Sequence, residues 1–338
     1  MMFSDASYEI FDDAKRVWFG EVSDEHLEGR DCIVLAAANW LSQDSEWRPA
    51  LVDWLDRTNL PIIALGLGAQ ADMNGRIPSL RPSTRKLVSI LAERSPAIAA
   101  RGTFSCEVLA HYGAKNAVPT GCPSLLLNRA KRFNFDQRSG PSILKSSDIA
   151  VHGTRHHYKN ATEFHAKFYD VAMSREYDVV LQSELADMYF ALGVKNRDFD
   201  DLKAKECLEK TYGSKYELIQ RYLKDHGKVF FSVGEWLRFC STKEFVFGTR
   251  IHGTIASLLA GTPGALIAHD SRTKELGEAM GIFFVEARDF DAENMPVDEL
   301  YTRCLSHDFN QKHLEYLDRY SEFFQKASLE TNVFKLCA

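Results

Sequence analysis

The feature that most constrains this chain is an alternation, run through twice, of short unbroken apolar stretches with longer segments of helical periodicity. "CIVLAAA" (32–38), "PIIALGLG" (61–68) and "AIAAR" (97–101) are strand-length and lack the every-other-residue polarity of a half-exposed strand. Helical patterns separate them: one through Trp47, Leu51 and Leu55, one from about Pro82 to Arg94, and "GTFSCEVLAHYG" (102–113), which Gly113 closes. A short strand and turn in "NAVPTGCPS" (116–124) end the first series. Strands apolar on both sides and joined by helices belong in parallel sheets covered on both faces.

The stretch 129–147, "RAKRFNFDQRSGPSILKSS", is polar, broken by Gly-Pro and without period, as an interdomain linker would be. The alternation then restarts with "DIAVHG" (148–153), a helix through Phe164 and Phe168, and "YDVVLQ" (177–182). A mainly helical insert from Glu184 to about His226 follows, then the strands "KVFFS", "EFVFGT", "ALIAH" and "FFVEA", and a last helix from about Gln311 to Lys326. The expected organisation is an N-terminal domain over 1–135, a linker over 136–147, a second domain over 148–310 and a C-terminal helix within 311–338. Two doubly wound α/β halves on one linker imply a cleft between them.

Composition narrows the function classes. A net charge of −6 and a pI near 6.0 argue against a general polyanion binder, so no nucleic-acid partner is expected, although one basic cleft is compatible with that balance. The seven cysteines are scattered without a CxxC pair, which reads as reduced thiols in a cytoplasmic protein. No apolar run nears the ~18 residues of a membrane span, and the polar, acidic opening "MMFSDASYEIFDDAKR" is unlike a signal peptide. Peripheral contact with a membrane stays open, as does the oligomeric state.

Chemistry-bearing residues gather where strands end. In "FVFGTRIHGTIASLLAGTP" (245–263), Gly248 and Gly253 let backbone approach a ligand, and the helix start offers free N–H groups to an anion. Arg250 adds a fork matched to phosphate or carboxylate, and His252 a group able to move a proton near neutrality. The plainer reading is that Arg250 pairs with a structural carboxylate and His252 caps the helix. Arg101 ends another strand, and "HDSR" (269–272) presents His269, Asp270 and Arg272 at a third. Three strand ends with an arginine each point to a ligand with more than one anionic group.

The loop "HGTRHHYKN" (152–160) offers His152 and Arg155 to phosphate or acceptor; its adjacent His156 and His157 lack the spacing of a metal pair, and no metal is expected. "LQSE" (181–184) offers Gln182 to sugar hydroxyls, while Glu184 equally suits a helix start. "GLGAQ" (66–70) lacks the third glycine of a dinucleotide fingerprint; Gly68 serves a backbone turn and Gln70 a polar contact. The tryptophans sit mostly on core periodicities, with Trp40 beside Asn39 at a strand end as a candidate for stacking on a sugar.

Residues 245–282, "FVFGTRIHGTIASLLAGTPGALIAHDSRTKELGEAMGI", resemble the polysaccharide pyruvyl transferases in their strand, Arg-x-His, small-residue helix, Gly-x-Pro and following strand–helix unit. "AIAARGTFSCEVLAHYGAKNAVPTGCPSLLL" (97–127) and "IIALGLGAQ" (62–70) are similar to two further signatures of that family. The resemblance implies two Rossmann-like domains in a GT-B-like arrangement. It implies transfer of pyruvate from phosphoenolpyruvate, the donor substrate with no other cofactor, to a sugar or glycan-precursor acceptor as a ketal. Arg101, Arg250 and His252 fall on its donor-binding positions, with His252 at the acid/base position. The chain opens at "MMFSDASYEIF" without the strand and Asn/Gly/Asp-rich loop with which the family begins. Two other functions fit the same pattern: a GT-B-like glycosyltransferase using a nucleotide sugar, and a non-catalytic sugar-binding homologue.

Overall fold

A computed structural model describes residues 10–11, 14–43, 45–71, 76–128, 132–133, 135, 144–154, 162–194 and 201–331. They form two compact units. The first gathers the residues up to Arg132, the segment Asp270–Ile282 and the chain from Phe309 onward; the second gathers Phe133–His269 and Phe283–Asp308. Most of the linker expected over 136–147 lies outside the described residues.

In the first unit, β1 (Ile33–Ala36), β3 (Ile62–Ala69), β4 (Ile98–Ala100) and β5 (Ala117–Pro119) pair in that order, all parallel. β2 (Asn39–Leu41) resumes the line of β1 after Ala37 and Ala38: Ala36 pairs with Leu65, and Asn39 with Gly68. β3 is buried at every position, as its unbroken apolar sequence requires. Its pairing with β4 slips between Ala64 and Leu67, around Gly66 at φ +68°. A left-handed glycine is the ordinary way to take up such a bulge, and a bulge turns a carbonyl out of the ladder.

The helix expected over 82–94 is Pro82–Arg94, started by proline in its first turn. Two helices distant in sequence complete this unit, Ser271–Met280 and Phe309–Lys326. The C-terminal helix set apart in the sequence reading is therefore part of the first unit's core. Tyr316 donates its hydroxyl to Cys122 O at 2.8 Å and Tyr320 to Gly121 O at 3.2 Å, so the helix holds the turn after β5.

The second unit carries a six-stranded, all-parallel sheet. Its strands are β6 (Ile149–His152), β7 (Asp178–Val180), β8 (Gly227–Lys228), β9 (Phe245–Gly248), β10 (Gly264–Ala268) and β11 (Phe284–Glu286). The spatial order β8-β7-β6-β9-β10-β11 is that of a dinucleotide-type doubly wound sheet, so the winding reverses between β6 and β9. Helices Glu163–Ser174, Val233–Ser241 and Ile251–Leu259 alternate with the strands, and Leu185–Leu192, Asp201–Tyr212 and Tyr216–His226 form the insert.

"KVFFS" proves to be strand only at its first residue. Phe230 packs instead on Trp236 and Phe239, and Phe231 is exposed. At a sheet edge the aromatics gain more from covering the next helix than from extending a ladder with one free side. Among the described residues no helix is long and apolar enough to cross a membrane, and none of the six described cysteines forms a disulfide.

Candidate functional site

In open parallel sheets, ligands bind beyond the carboxyl ends of the strands where the winding reverses. In the second unit this is the pair of ends His152 (β6) and Gly248 (β9), which lie opposite each other in register. Gly248 sits at φ +152°, and a Cβ there would fall 1.8 Å from His152 O, so only glycine lets the two backbones meet. The chain then turns through Thr249 into helix Ile251–Leu259, with Arg250 at its N-cap.

His152 builds the floor of this helix start. It is fully buried, and Gly253 leaves room for its ring: a Cβ at Gly253 would lie 2.3 Å from Cδ2. Arg250 N donates to His152 Nδ1 at 3.1 Å, which assigns the ring proton to Nε2, 3.4 Å from Thr254 Oγ1. Burial, and next the Arg250 charge, push His152 down to about 3, so the ring is a neutral acceptor. Its place is beneath the loop, with both nitrogens engaged inside the protein.

The Arg250 side chain is fixed along one edge. Nε donates to Gly153 O at 3.0 Å; Nη2 donates to Glu184 Oε1 at 3.1 Å and also to Ser183 Oγ. Glu184 is 1% exposed, and its Oε2 accepts from Gln182 N at 2.8 Å and Ser183 N at 3.0 Å. The plain reading of Arg250 as the partner of a structural carboxylate thus holds, and it does not exhaust the group. Three of five donors are used, and the two on Nη1 have no protein partner among the described residues. A planar fork locked by one edge, at a helix N-terminus, is set to receive an oxyanion end-on.

Around it, His165 Nε2 lies 3.2 Å from Thr249 Oγ1, which donates to Thr154 Oγ1 at 3.0 Å. His165 Nδ1 meets Thr162 Oγ1 at 2.6 Å, and the ring packs edge-on against His269, centroids 5.1 Å apart. His252 is half-buried, second in the helix after Arg250.

The first unit holds a separate seat. Arg101 is 9% exposed, and its Nε donates at 3.1 Å to Gly66 O, the carbonyl beside the β3 bulge. Its side chain lies across Gly68, where a Cβ would come within 2.4 Å of Cδ. Burial and the neighbouring Arg272 charge lower the Arg101 pKa, yet a guanidinium stays protonated. Nη1 and Nη2 have no protein partner among the described residues. Arg272 is held by Asp270, with Nε at 2.9 Å and Nη2 at 2.6 Å from Oδ2; Asp270 Oδ1 caps the helix through Thr273 N at 2.8 Å. Two cations kept close, one of them buried, favour an anion. Gln70, at the end of β3, accepts from Asn39 Nδ2 at 3.1 Å.

The structure therefore brings His152, Gly248, Arg250, His252 and Gly253 to one corner of the second unit, with Gln182 contributing its backbone N–H. Gly68, Gln70, Arg101, Asp270 and Arg272 belong to the first unit, while His269 belongs to the second, against His165. Arg155, His156 and His157 lie outside the described residues. Trp40 is buried, 4.0 Å from Trp47 between centroids, and forms core rather than a sugar platform. Sequence reasoning passed over Ser183, Thr249, Thr154 and His165. Ser183 stood inside the flagged "LQSE", whereas His165 meets Thr249 across 84 residues and carries no local signal. Among the described residues no group of three or more His, Cys, Asp or Glu could hold a metal.

A family model described as polysaccharide pyruvyl transferase matches residues 5–271. No curated protein matches the chain. Among solved structures, S. aureus MnaA with UDP is 13% identical over 96% of this chain and 88% of its own, with a TM-score of 0.45. The UDP-GlcNAc 2-epimerase of Neisseria meningitidis bound to UDP-GlcNAc is 10% identical over 82% and 79%, at 0.39. Anabaena HepE with UDP and glucose is 10% identical over 82% and 69%, at 0.37. At such identities and scores the likeness says nothing of what this chain binds.

Proposed function

Because the chain belongs to the polysaccharide pyruvyl transferase family, we propose that it transfers pyruvate from phosphoenolpyruvate to a sugar or glycan-precursor acceptor as a cyclic ketal. The observation that carries this reading is Arg250: a guanidinium locked on three donors at a helix N-terminus, at the winding reversal, with Nη1 left for a ligand. A donor with a phosphate and a carboxylate suits such a seat, and suits the second one at Arg101 and Arg272.

In the proposed reaction, the donor's methylene carbon gains a proton and becomes a methyl group, leaving an oxocarbenium-like carbon. One acceptor hydroxyl adds to that carbon and loses its proton. A second hydroxyl of the same sugar displaces phosphate, which leaves with the bonding pair and takes up that hydroxyl's proton, and the ketal closes. His252, next to Arg250 on the same helix turn, is assigned the proton transfer. Arg250 is assigned a donor anion and the charge that grows as phosphate departs. The neutral His152 holds the Arg250 backbone and takes no part in proton transfer, because its lone pair on Nδ1 is already occupied.

Thermal denaturation with phosphoenolpyruvate tests the donor. Stabilisation should follow RT ln(1+[L]/Kd), about 2.7 kcal/mol at a hundredfold excess over Kd. Arg250→Ala should sharply reduce the shift while the protein stays folded. Stabilisation by a nucleotide sugar, with none from phosphoenolpyruvate, would replace the reading by that of a glycosyltransferase.

A further inference from the structure

Glu275 is a buried acid that the reaction above does not use. It is 6% exposed on helix Ser271–Met280, one turn beyond Arg272. Its carboxylate reaches the first turn of helix Thr103–His111: Oε1 accepts from Ser105 N at 2.7 Å and Oε2 from Ser105 Oγ at 3.1 Å. Ser105 Oγ in turn accepts from Ala69 N, at the end of β3, at 2.9 Å. Three segments therefore meet at one hydroxyl.

That helix starts immediately after Arg101 and has no side-chain cap of its own, because its N-cap is Gly102. Nothing larger fits there: a Cβ at Gly102 would lie 2.2 Å from Glu275 Cγ. The helix thus takes its capping carboxylate from another helix, one that complements its dipole and satisfies an N–H that would otherwise be orphaned. The same carboxylate lies within electrostatic reach of Arg101. Burial pushes the Glu275 pKa up and the two Ser105 bonds pull it back, as for an acid placed at some cost.

We propose that Glu275 is the positioning residue of the first unit's oxyanion seat, tying the helix that carries Arg272 to the helix start that fixes Arg101. The proposal rests on the reading of those arginines as donor-binding groups. Besides Arg101, Cys106 and Glu278 are the titratable groups near this carboxylate. None of them supplies a second cap to Ser105.

Glu275→Ala, Glu275→Gln and Ser105→Ala are compared by amide hydrogen exchange over residues 102–106 and by titration with phosphoenolpyruvate. Glu275→Ala is expected to raise exchange there and to weaken the donor Kd and KM about tenfold or more, with kcat nearly kept at saturation. Glu275→Gln, which keeps an acceptor for Ser105 N, should restore most of both. In an Arg101→Ala background, Glu275→Ala should weaken the donor little further, since the two act through one group. A stability loss with unchanged donor affinity, or fully additive effects with Arg101→Ala, would overturn the proposal. If wild type binds neither phosphoenolpyruvate nor inorganic phosphate, the donor reading falls. Raised exchange at 102–106 in Glu275→Ala would then leave Glu275 a helix cap alone, and its role at an oxyanion seat would fall as well.

Discussion

Acid should unseat Arg250 through His152. In the folded protein the ring is held neutral down to about 3, against an ordinary value of 6.5. Below 6.5 the unfolded chain takes up a proton that the folded ring refuses, so stability falls as pH falls, by at most ~1.4 kcal/mol per unit until about pH 3. A ring forced to accept that proton would point a second N–H at Arg250 N, donor against donor. The informative variant is His152→Asn, whose Oδ1 can stand where Nδ1 accepts and which cannot charge. It starts less stable, because the ring's volume is lost; what matters is the pH slope. Between pH 6 and 4 the stability advantage of wild type over the variant should shrink by about 2.5 kcal/mol on these values. Urea denaturation at half-unit pH steps, followed by fluorescence and circular dichroism, measures it. A difference that stays constant across the window would refute the account of His152 as a buried neutral acceptor.

Gly248→Ala should cost at least about 2 kcal/mol, since its Cβ would strike His152 O at 1.8 Å; Gly253→Ala should cost about 1–3 kcal/mol by displacing the ring, both read by urea denaturation. Gly68→Ala should push the Arg101 side chain off its line, weakening phosphoenolpyruvate binding in calorimetry with a stability loss of only about 1–3 kcal/mol. Arg250→Lys should lower turnover about 10²-fold despite keeping the charge, because one ammonium cannot meet Gly153 O, Ser183 and Glu184 together and still present donors to a ligand. Glu184→Gln should raise the donor KM by loosening the same group.

Much of the fold was legible because its signals are local. The unbroken apolar runs became β1, β3, β4, β6 and β9, and Pro82–Arg94 matched its proline start and last arginine. Gly113, at φ +100°, closes the helix it was read to close. What escaped depended on long-range packing. The strand read over 228–232 shrank because Phe230 found aromatic partners beyond it. The affiliation of helices Ser271–Met280 and Phe309–Lys326 with the first unit is carried by Ser105, Cys122 and Gly121, far away in sequence. At the site, residue types at strand ends pointed to Arg101, Arg250 and His152, and the pairing of Arg250 with a carboxylate was among the readings they allowed. His152 lies under the loop, held by Arg250 N and given room by the absent Cβ of Gly253, contacts that span about a hundred residues and leave no local signal.

The most direct test of pyruvyl transfer is mass spectrometry of a panel of sugar acceptors incubated with the protein and carbon-13-labelled phosphoenolpyruvate. The account predicts a labelled gain of one pyruvyl group on an acceptor bearing two neighbouring hydroxyls, matched by released phosphate and lost in His252→Ala. Label that never leaves the donor while a nucleotide sugar is consumed, or full turnover in His252→Ala, would contradict it.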